Sequence, residues 1–355
     1  MSLKMLRNKI DAVDAKLVRL LNERMRHAHE IGKLKQQNGS GIYVPSREKA
    51  VLARVSALNQ GPMTDKAVRA IYREIMSAAR AMEKNLKVAY MGPPSTFSHQ
   101  AARNRFGASV EYLSCETISD VFDAVEKQVA DYGVVPVENS TEGAVTFTLD
   151  RLAETTVKIC SEQYLPISNC LLAKVPRRQI KKLYSHPQVL GQCRQWLQRE
   201  MPGVGVIPVA STARAAELAA KDADAGALAS QLAAEIYGLS VLEYDIQDLV
   251  GNTTRFVVIG HDRNKPSGDD KTSLLLAVKH QAGTLYGALE AFKKFGLNMT
   301  KIESRPSRSK QWEYFFFVDV EGHAEDTRVK KALSAMASHC DMVTILGSYP
   351  AADKK

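Results

Sequence analysis

The chain has 355 residues, 45% of them hydrophobic and 25% charged, with a formal net charge of +9. That length exceeds one ordinary core, so two or three domains are expected, and the absence of any apolar run near the roughly 18 residues of a bilayer span speaks against a membrane protein. The positive balance admits nucleic acid or small anions as partners, but without a long basic run interleaved with aromatics the sequence favours small acidic substrates.

The five cysteines (Cys115, Cys160, Cys170, Cys193, Cys340) are scattered and lack CxxC spacing. This usage predicts a reducing cytoplasm, with neither a disulfide framework nor a zinc site. The first residues, MSLKMLRNKIDAVD, enter a charged amphipathic pattern directly, so no signal peptide is expected.

Residues 1–85 read as all-helical. Leu6, Ile10, Val13, Leu17, Leu20, Leu21, Ala28, Ile31 and Leu34 recur at three- and four-residue steps, and proline is absent before Pro45. This predicts one helix over 3–36, ended by Asn38–Gly41, a short helix from Ser46, and a third from Thr64 to Lys84. So wide an apolar stripe needs a partner, either the later helices or a second copy of the chain. From Leu86 the texture changes. LKVAYMG, YGVVPVE, ISNCLLA, GVIPVA and TRFVVIG read as buried strands, and the Ala-rich 211–237 as helices. The alternation predicts an α/β domain over 86–262 with mostly parallel sheets. A polar linker (261–271) follows. TSLLLAV, a helix near 285–295, NMTKIES, EYFFFVDVEG, a helix over 326–339 and VTILGSY then give a β-α-β-β-α-β, ferredoxin-like plan over 272–350.

Arg24 and Lys35 are 11 residues apart, which returns them to within roughly 20° on one helix face. Arg7, 17 residues before Arg24, lies roughly 25 Å away along the same helix. If all three serve one ligand, Arg7 comes from a second copy; otherwise these are solvated basic residues. LRNKIDAVDAKLVRLLNERMRHAHEIGKLK, YVPSREKAVL and AIYREIMSAARAME resemble the all-helical chorismate mutase family, an intertwined homodimer. The resemblance implies that Arg24 and a partner copy's Arg7 hold two carboxylates, with Arg47 also among the binding positions. It further implies that Lys35 and Glu83 face the ether oxygen and that Glu48 accepts from the ring hydroxyl. Such a pericyclic rearrangement needs only a held conformer and stabilisation of growing negative charge. Ala79 stands where the family often has Ser, and Val44 where an acidic residue is common.

GPPSTFSHQAA (92–102), VPVENSTEGAV (135–145), SHPQVLGQCRQW (185–196), ASTARAA (210–216) and NTTRF (252–256) are each compatible with ordinary turns and caps. In this order they resemble prephenate dehydratase, a two-lobed α/β domain like bacterial solute-binding proteins. By that resemblance Thr254 assists the leaving hydroxyl, and Asn139 and Gln192 fix the substrate. Thr96, Ser98, Glu138, Ser140, Ser185, His186, Ser211 and Thr212 line the cleft, and Arg255 supplies a cation. Ser95 occupies a loop position that is commonly Gly. The last segment resembles the ACT regulatory domain. The loop QAGTL (281–285), with Gly283, Thr284 and Leu285, and the ESRP run, Glu303, Ser304, Arg305 and Pro306, with Asn298 beside them, imply a phenylalanine effector site. The three resemblances together imply a bifunctional, feedback-inhibited, homo-oligomeric enzyme of phenylalanine biosynthesis. Two other readings fit fewer residues. A non-catalytic amino-acid-responsive binding protein leaves NTTRF and ENS unexplained. A DNA-binding regulator requires a short recognition helix that the long first helix does not supply.

Overall fold

An apolar stripe uninterrupted by proline carries the first segment as one helix, α1 (Leu3–Gln37). The computed structural model describes residues 2–37, 41–249, 251–307 and 314–352. The expected stop at 38–41 and the expected strand residue Glu313 therefore lie outside them, Gly41 excepted. The chain divides into two units, Met1–Lys87 with Arg105–Glu111, and Val88–Asn104 with Tyr112–Lys355. In the first, α2 (Pro45–Leu58) opens on Pro45, where a missing N–H costs nothing. Helix α3 (Asp65–Glu83) is capped by the Thr64 side chain, which accepts from the Ala67 N–H at 3.3 Å. Val51, Val55 and Met76 form a small core between them. The later helices do not cover the α1 stripe: Ile10 and Leu34 are each 59% exposed, and Leu6, Val13, Leu17 and Leu20 are exposed with them.

Beyond the helices come β1 (Lys87–Met91), α4 (Phe97–Phe106), β2 (Glu111–Cys115), α5 (Ile118–Glu126), β3 (Tyr132–Asn139), β4 (Gly143–Ala144), α6 (Thr146–Glu154) and β5 (Lys158–Pro166). A second lobe follows with β6 (Cys170–Ala173), β7 (Lys182–Ser185), α7 (Pro187–Gln192), α8 (Arg194–Glu200), β8 (Gly205–Pro208), α9 (Thr212–Lys221), β9 (Ala225–Ala229), α10 (Gln231–Tyr237) and β10 (Ser240–Glu243). Strand β11 (Thr253–Gly260) returns to the first lobe. The last domain comprises β12 (Asp270–Val278), α11 (Thr284–Lys294), β13 (Met299–Pro306), β14 (Tyr314–Glu321), α12 (Thr327–Met336) and β15 (Cys340–Pro350). The sheet orders are β2-β1-β3-β11-β5 with β4 on β3, β10-β6-β9-β7-β8, and β13-β14-β12-β15.

The last domain follows the predicted order. The central domain departs from its prediction in three ways. Its sheets are mixed, because β11 lies antiparallel between β3 and β5 and β6 lies antiparallel to β9 and β10. The Ala-rich 211–237 is not all helix: Ala225–Ala229 is a wholly buried strand, where tertiary burial overrides the helix propensity of alanine. GVIPVA forms an exposed edge strand. The linker is also shorter than expected, since Asp270 and Lys271 already belong to β12 and are buried.

The last sheet packs on the first lobe. Leu275, Phe317, Leu346 and Tyr349 share one core with Ile159, Val257 and Ile259. A Cβ on Gly347 would collide with the backbone carbonyl of Ile159, so only glycine lets β15 approach β5 this closely. At the start of α4, Ser95 takes φ +72°, and its N–H donates to His99 Nδ1 at 3.1 Å. The His99 ring is stacked on Tyr90 at 4.4 Å. Burial, then the charge of Arg103, pushes its pKa down to about 4.

Two outcomes are expected. Gly347→Ala lowers stability by about 2 kcal/mol, because a rigid backbone cannot yield to the methyl, read as a lower urea midpoint. His99 is neutral in the fold, while the unfolded chain takes up its proton near the ordinary value of 6.5. Its contribution to stability is therefore complete above pH 6.5 and is lost as pH falls towards about 4. Across that window His99→Gln shows a shallower fall in melting temperature than the unaltered protein; parallel curves refute the assignment.

Candidate active sites and effector loop

Helix α1 brings Arg24 and Lys35 to α2 and α3. Arg24 Nη1 is buried without a hydrogen-bond partner among the described residues. The guanidinium's pKa is lowered, first by burial, against an opposing pull from Tyr72, and then by the charges of Arg47 and Arg54. A desolvated cation beside two others is a site that an anion relieves. Lys35 Nζ donates to Glu83 Oε2 at 3.2 Å and to the Ile42 carbonyl at 3.3 Å. Gly32 makes room for this pair, since a Cβ there would stand 2.6 Å from Glu83 Cγ. Glu48 is bound by Arg80, a partner the sequence reading missed, and Arg80 also donates to the Phe106 carbonyl at 2.7 Å. Arg47 is exposed and Ala79 buried. Arg7 is exposed far along the same continuous helix and does not join the cluster within one chain.

In the second unit, β3 and β11 set Asn139 directly opposite Thr254. Asn139 Nδ2 donates to Thr254 Oγ1 and to Asn252 Oδ1, both at 2.8 Å. Its Oδ1 accepts from the N–H groups of Thr141 (2.9 Å) and Glu142 (3.1 Å). The amide is thus fixed on both sides, and Thr254, 8% exposed, receives a hydrogen bond while its own proton stays available. Ser140 Oγ accepts from the Thr253 N–H at 2.9 Å and ties the two strand ends together. On the second lobe, Gln192 Oε1 accepts from Asn169 Nδ2 at 3.3 Å, and Asn169 Oδ1 is buried without a hydrogen-bond partner among the described residues. Contacts between the lobes run from Ser230 Oγ to the Ser95 carbonyl at 2.8 Å and from Gln188 to Glu142.

Several of the expected cleft residues have local duties. Thr96 Oγ1 donates to the Met91 carbonyl at 3.0 Å, and Ser98 is buried. Ser185 Oγ donates to the Leu228 carbonyl at 2.8 Å. His186 caps α7 and Ser211 caps α9, whose first residue is Thr212. Arg255 and Glu138 do not line the cleft. Adjacent strand residues face opposite ways, so both lie on the side opposite Thr254 and Asn139. The Arg255 guanidinium is bound to Glu162 at 2.8 Å, Asp319 at 2.5 Å and Tyr349 at 3.0 Å. Burial alone would lower its pKa, but the charges of Tyr349, Asp319 and Glu162 outweigh that and hold it well above the ordinary value. Glu138 pairs with Lys301 at 2.9 Å.

In the last domain, Gly283, Thr284 and Leu285 line an open depression of about 480 Å³ with Val278, Tyr314 and Phe316. Gly283, at φ +84°, precedes α11 without a side-chain cap, leaving the helix N-terminus open to an anion. Thr284 Oγ1 is already used, donating to the Lys279 and Gln281 carbonyls at 2.6 and 2.8 Å. Asn298, Glu303, Ser304, Arg305 and Pro306 do not line this depression. Arg305 is turned away from it onto Asp150 of α6, which it grips through Nε at 3.1 Å and Nη2 at 2.8 Å. Among the described residues, no cluster of three or more His, Cys, Asp or Glu could hold a metal ion, and no helix is long and apolar enough to cross a membrane.

Known proteins match in the same three segments. Family models match for chorismate mutase type II over residues 6–84, prephenate dehydratase over 88–264 and the ACT domain over 272–337. The bifunctional chorismate mutase/prephenate dehydratase of Aquifex aeolicus is 50% identical, covering 99% of this chain and 98% of that protein. The protein of the same description from Neisseria gonorrhoeae is 47% identical, covering 98% and 96%. The crystal structure of prephenate dehydratase in complex with L-Phe from Arthrobacter aurescens matches with a TM-score of 0.67 at 32% identity, covering 75% of this chain and 90% of that one. Identity of this extent along nearly its whole length means that the chain belongs to the bifunctional chorismate mutase/prephenate dehydratase family.

Proposed function

We infer that the chain converts chorismate to prephenate in its helical segment and prephenate to phenylpyruvate in its central domain, under feedback control by phenylalanine. The observation that carries this reading is the Asn139–Thr254 pair, a hydroxyl fixed by one donor at 2.8 Å that itself donates to no acceptor among the described residues.

In the first step the C–O bond between the ether oxygen and the ring breaks as a C–C bond forms between the side chain and another ring carbon, all within one molecule. Arg24 holds a substrate carboxylate, with Arg47 among the groups that bind the substrate, and Lys35 and Glu83 face the ether oxygen, where negative charge grows. Arg7 arrives from a second copy that covers the exposed α1 stripe, which makes the working form a homo-oligomer. A buried Arg24 nitrogen without a hydrogen-bond partner among the described residues and a run of exposed apolar residues along α1 support both points.

In the second step the ring C–C bond to the carboxylate breaks, CO2 departs, and its electron pair enters the ring. The ring C–O bond breaks in turn, and the hydroxide takes up one proton to leave as water. Aromatisation drives the change, so positioning and one hydrogen-bond donor suffice. Thr254 is that donor. A hydroxyl that accepts from Asn139 is polarised towards giving its own hydrogen. Gln192 and Asn139 orient the substrate, with Thr96, Ser98, Ser140, Ser185, His186, Ser211 and Thr212 shaping the cleft around them. The effector's carboxylate meets the N–H groups at Gly283–Leu285. Five free cysteines fit a reducing, cytoplasmic setting.

Thr254→Ala is expected to lower dehydratase kcat by about a hundredfold, as loss of one leaving-group donor does, while mutase turnover stays intact; near-normal phenylpyruvate formation rules out the role. Glu83→Ala removes the carboxylate that braces Lys35 at 3.2 Å and is expected to lower mutase kcat by about ten- to a hundredfold, as misplacement of a reacting-site group does, while dehydratase turnover stays intact. An unaltered mutase kcat removes Glu83 from the ether oxygen.

A further inference from the structure

The residues next to Asn139 and Thr254 are held by the C-terminal domain. Strands β3 and β11 pair Asn139 with Thr254 and Glu138 with Arg255. The pleat sends the first pair to one face and the second pair to the other. On that second face Arg255, 5% exposed, binds Glu162 of β5, Asp319 of β14 and Tyr349 of β15. Lys271 of β12 reaches both Glu162 oxygens at 2.8 Å. Two cations thus face two carboxylates inside an otherwise apolar layer, with Ser273 bonded to both Asp319 and Tyr349. Further along, Lys301 of β13 meets Glu138 at 2.9 Å, and Arg305, on the same face of β13, grips Asp150.

A buried ion cluster contributes little net stability, because desolvation offsets most of the attraction. Its clearer consequence is geometric. A planar guanidinium bonded in three directions has one orientation, and β11 cannot shift Arg255 without shifting Thr254.

We propose that Arg255 is a positioning residue that ties the Thr254 hydroxyl to the C-terminal sheet, so that a change on effector binding in β14, whose Tyr314 and Phe316 line the depression, reaches the leaving-group donor through the Asp319–Arg255 contact. This rests on the reading of Thr254 given above. It assigns Asp319, Tyr349 and Lys271, which belong to the C-terminal sheet, a part in dehydratase control.

The test uses the full-length protein and Asp319→Asn, which keeps the shape of the side chain and removes its charge. Dehydratase kcat is expected to fall roughly tenfold with KM for prephenate nearly unchanged, as misplacement of a reacting group produces. Phenylalanine, still bound by calorimetry, inhibits the variant less than the unaltered protein. Unaltered kcat together with full inhibition overturns the proposal and leaves the cluster a structural contact. If Asp319→Asn no longer binds phenylalanine, Arg255→Lys, which cannot reach all three partners at once, is measured instead, with the same two results deciding. Thr254→Ala is assayed alongside. Normal turnover there removes the premise, whereas lost turnover there with an unaltered Asp319→Asn removes the coupling alone.

Discussion

The pleat of β11 is the constraint on which the second unit turns. A strand between two neighbours must send successive side chains to opposite faces. Here one face meets the cleft between the lobes and the other meets the C-terminal sheet. Thr254 and Arg255 are therefore neighbours in the chain and strangers in environment. One has a hydroxyl bonded to Asn139, the other a buried guanidinium among carboxylates. The antiparallel pairing with β3 doubles the arrangement, since Asn139 and Glu138 divide between the same two faces. The Asn139–Thr254 pair and the contact with the C-terminal sheet are thereby written on the same two strands, one residue apart.

The chemistry explains why so little else is required. One reaction moves a side chain from an ether linkage to a ring carbon of the same molecule, and the other is driven by aromatisation. What the protein supplies is fixed charge and fixed hydrogen-bond donors in sites from which water is partly excluded, where such groups act more strongly than in bulk water. Arg24 fits that demand, because burial and the charges of Arg47 and Arg54 already disfavour its isolation. On the proposed reading, a dianionic substrate would supply the missing counter-charge. The net charge of +9 follows the same logic at long range by drawing anions towards the protein.

Much of this was legible in the sequence, and the parts that were not share a cause. Periodicity marked α1, because an unbroken three-four stripe without proline has one meaning. It also marked the last domain, whose strands and helices alternate cleanly. It failed at Ala225–Ala229, where composition favours a helix and only the surrounding lobe decides for a strand. It failed for the parallel character of the sheets, since β11 comes from far along the chain and its direction is set by topology. Among the proposed site residues, Thr254 and Asn139 stood in separate motifs 115 residues apart, and neither motif announced the strand pairing that joins them. Arg255 was misread: a motif shows that an Arg is there, not which face of the strand it occupies. Counting alternation outward from Thr254 would have turned it away from the cleft. Arg80 and Glu162 carried no local signal, because their partners Glu48 and Arg255 are 32 and 93 residues away.

An apolar interface alone would have joined the C-terminal sheet to the first lobe, and much of the contact is apolar, with Leu275, Phe317 and Leu346 packed on Val257 and Ile259. Apolar contacts are non-directional, so small displacements between the layers cost them little and convey little. A charge cluster behaves differently. Its hydrogen bonds weaken steeply with angle and distance, and a half-broken cluster leaves a buried charge without its partner, which is the costliest state of all. The layers therefore have few acceptable registers, and intermediate ones are disfavoured. Switching between discrete packings is how small shifts at an effector site become functional changes elsewhere. Placing Arg255, Glu162, Lys271 and Asp319 at the centre of the contact, directly behind Thr254, gives the apolar layer adhesion and gives the ionic cluster control over register.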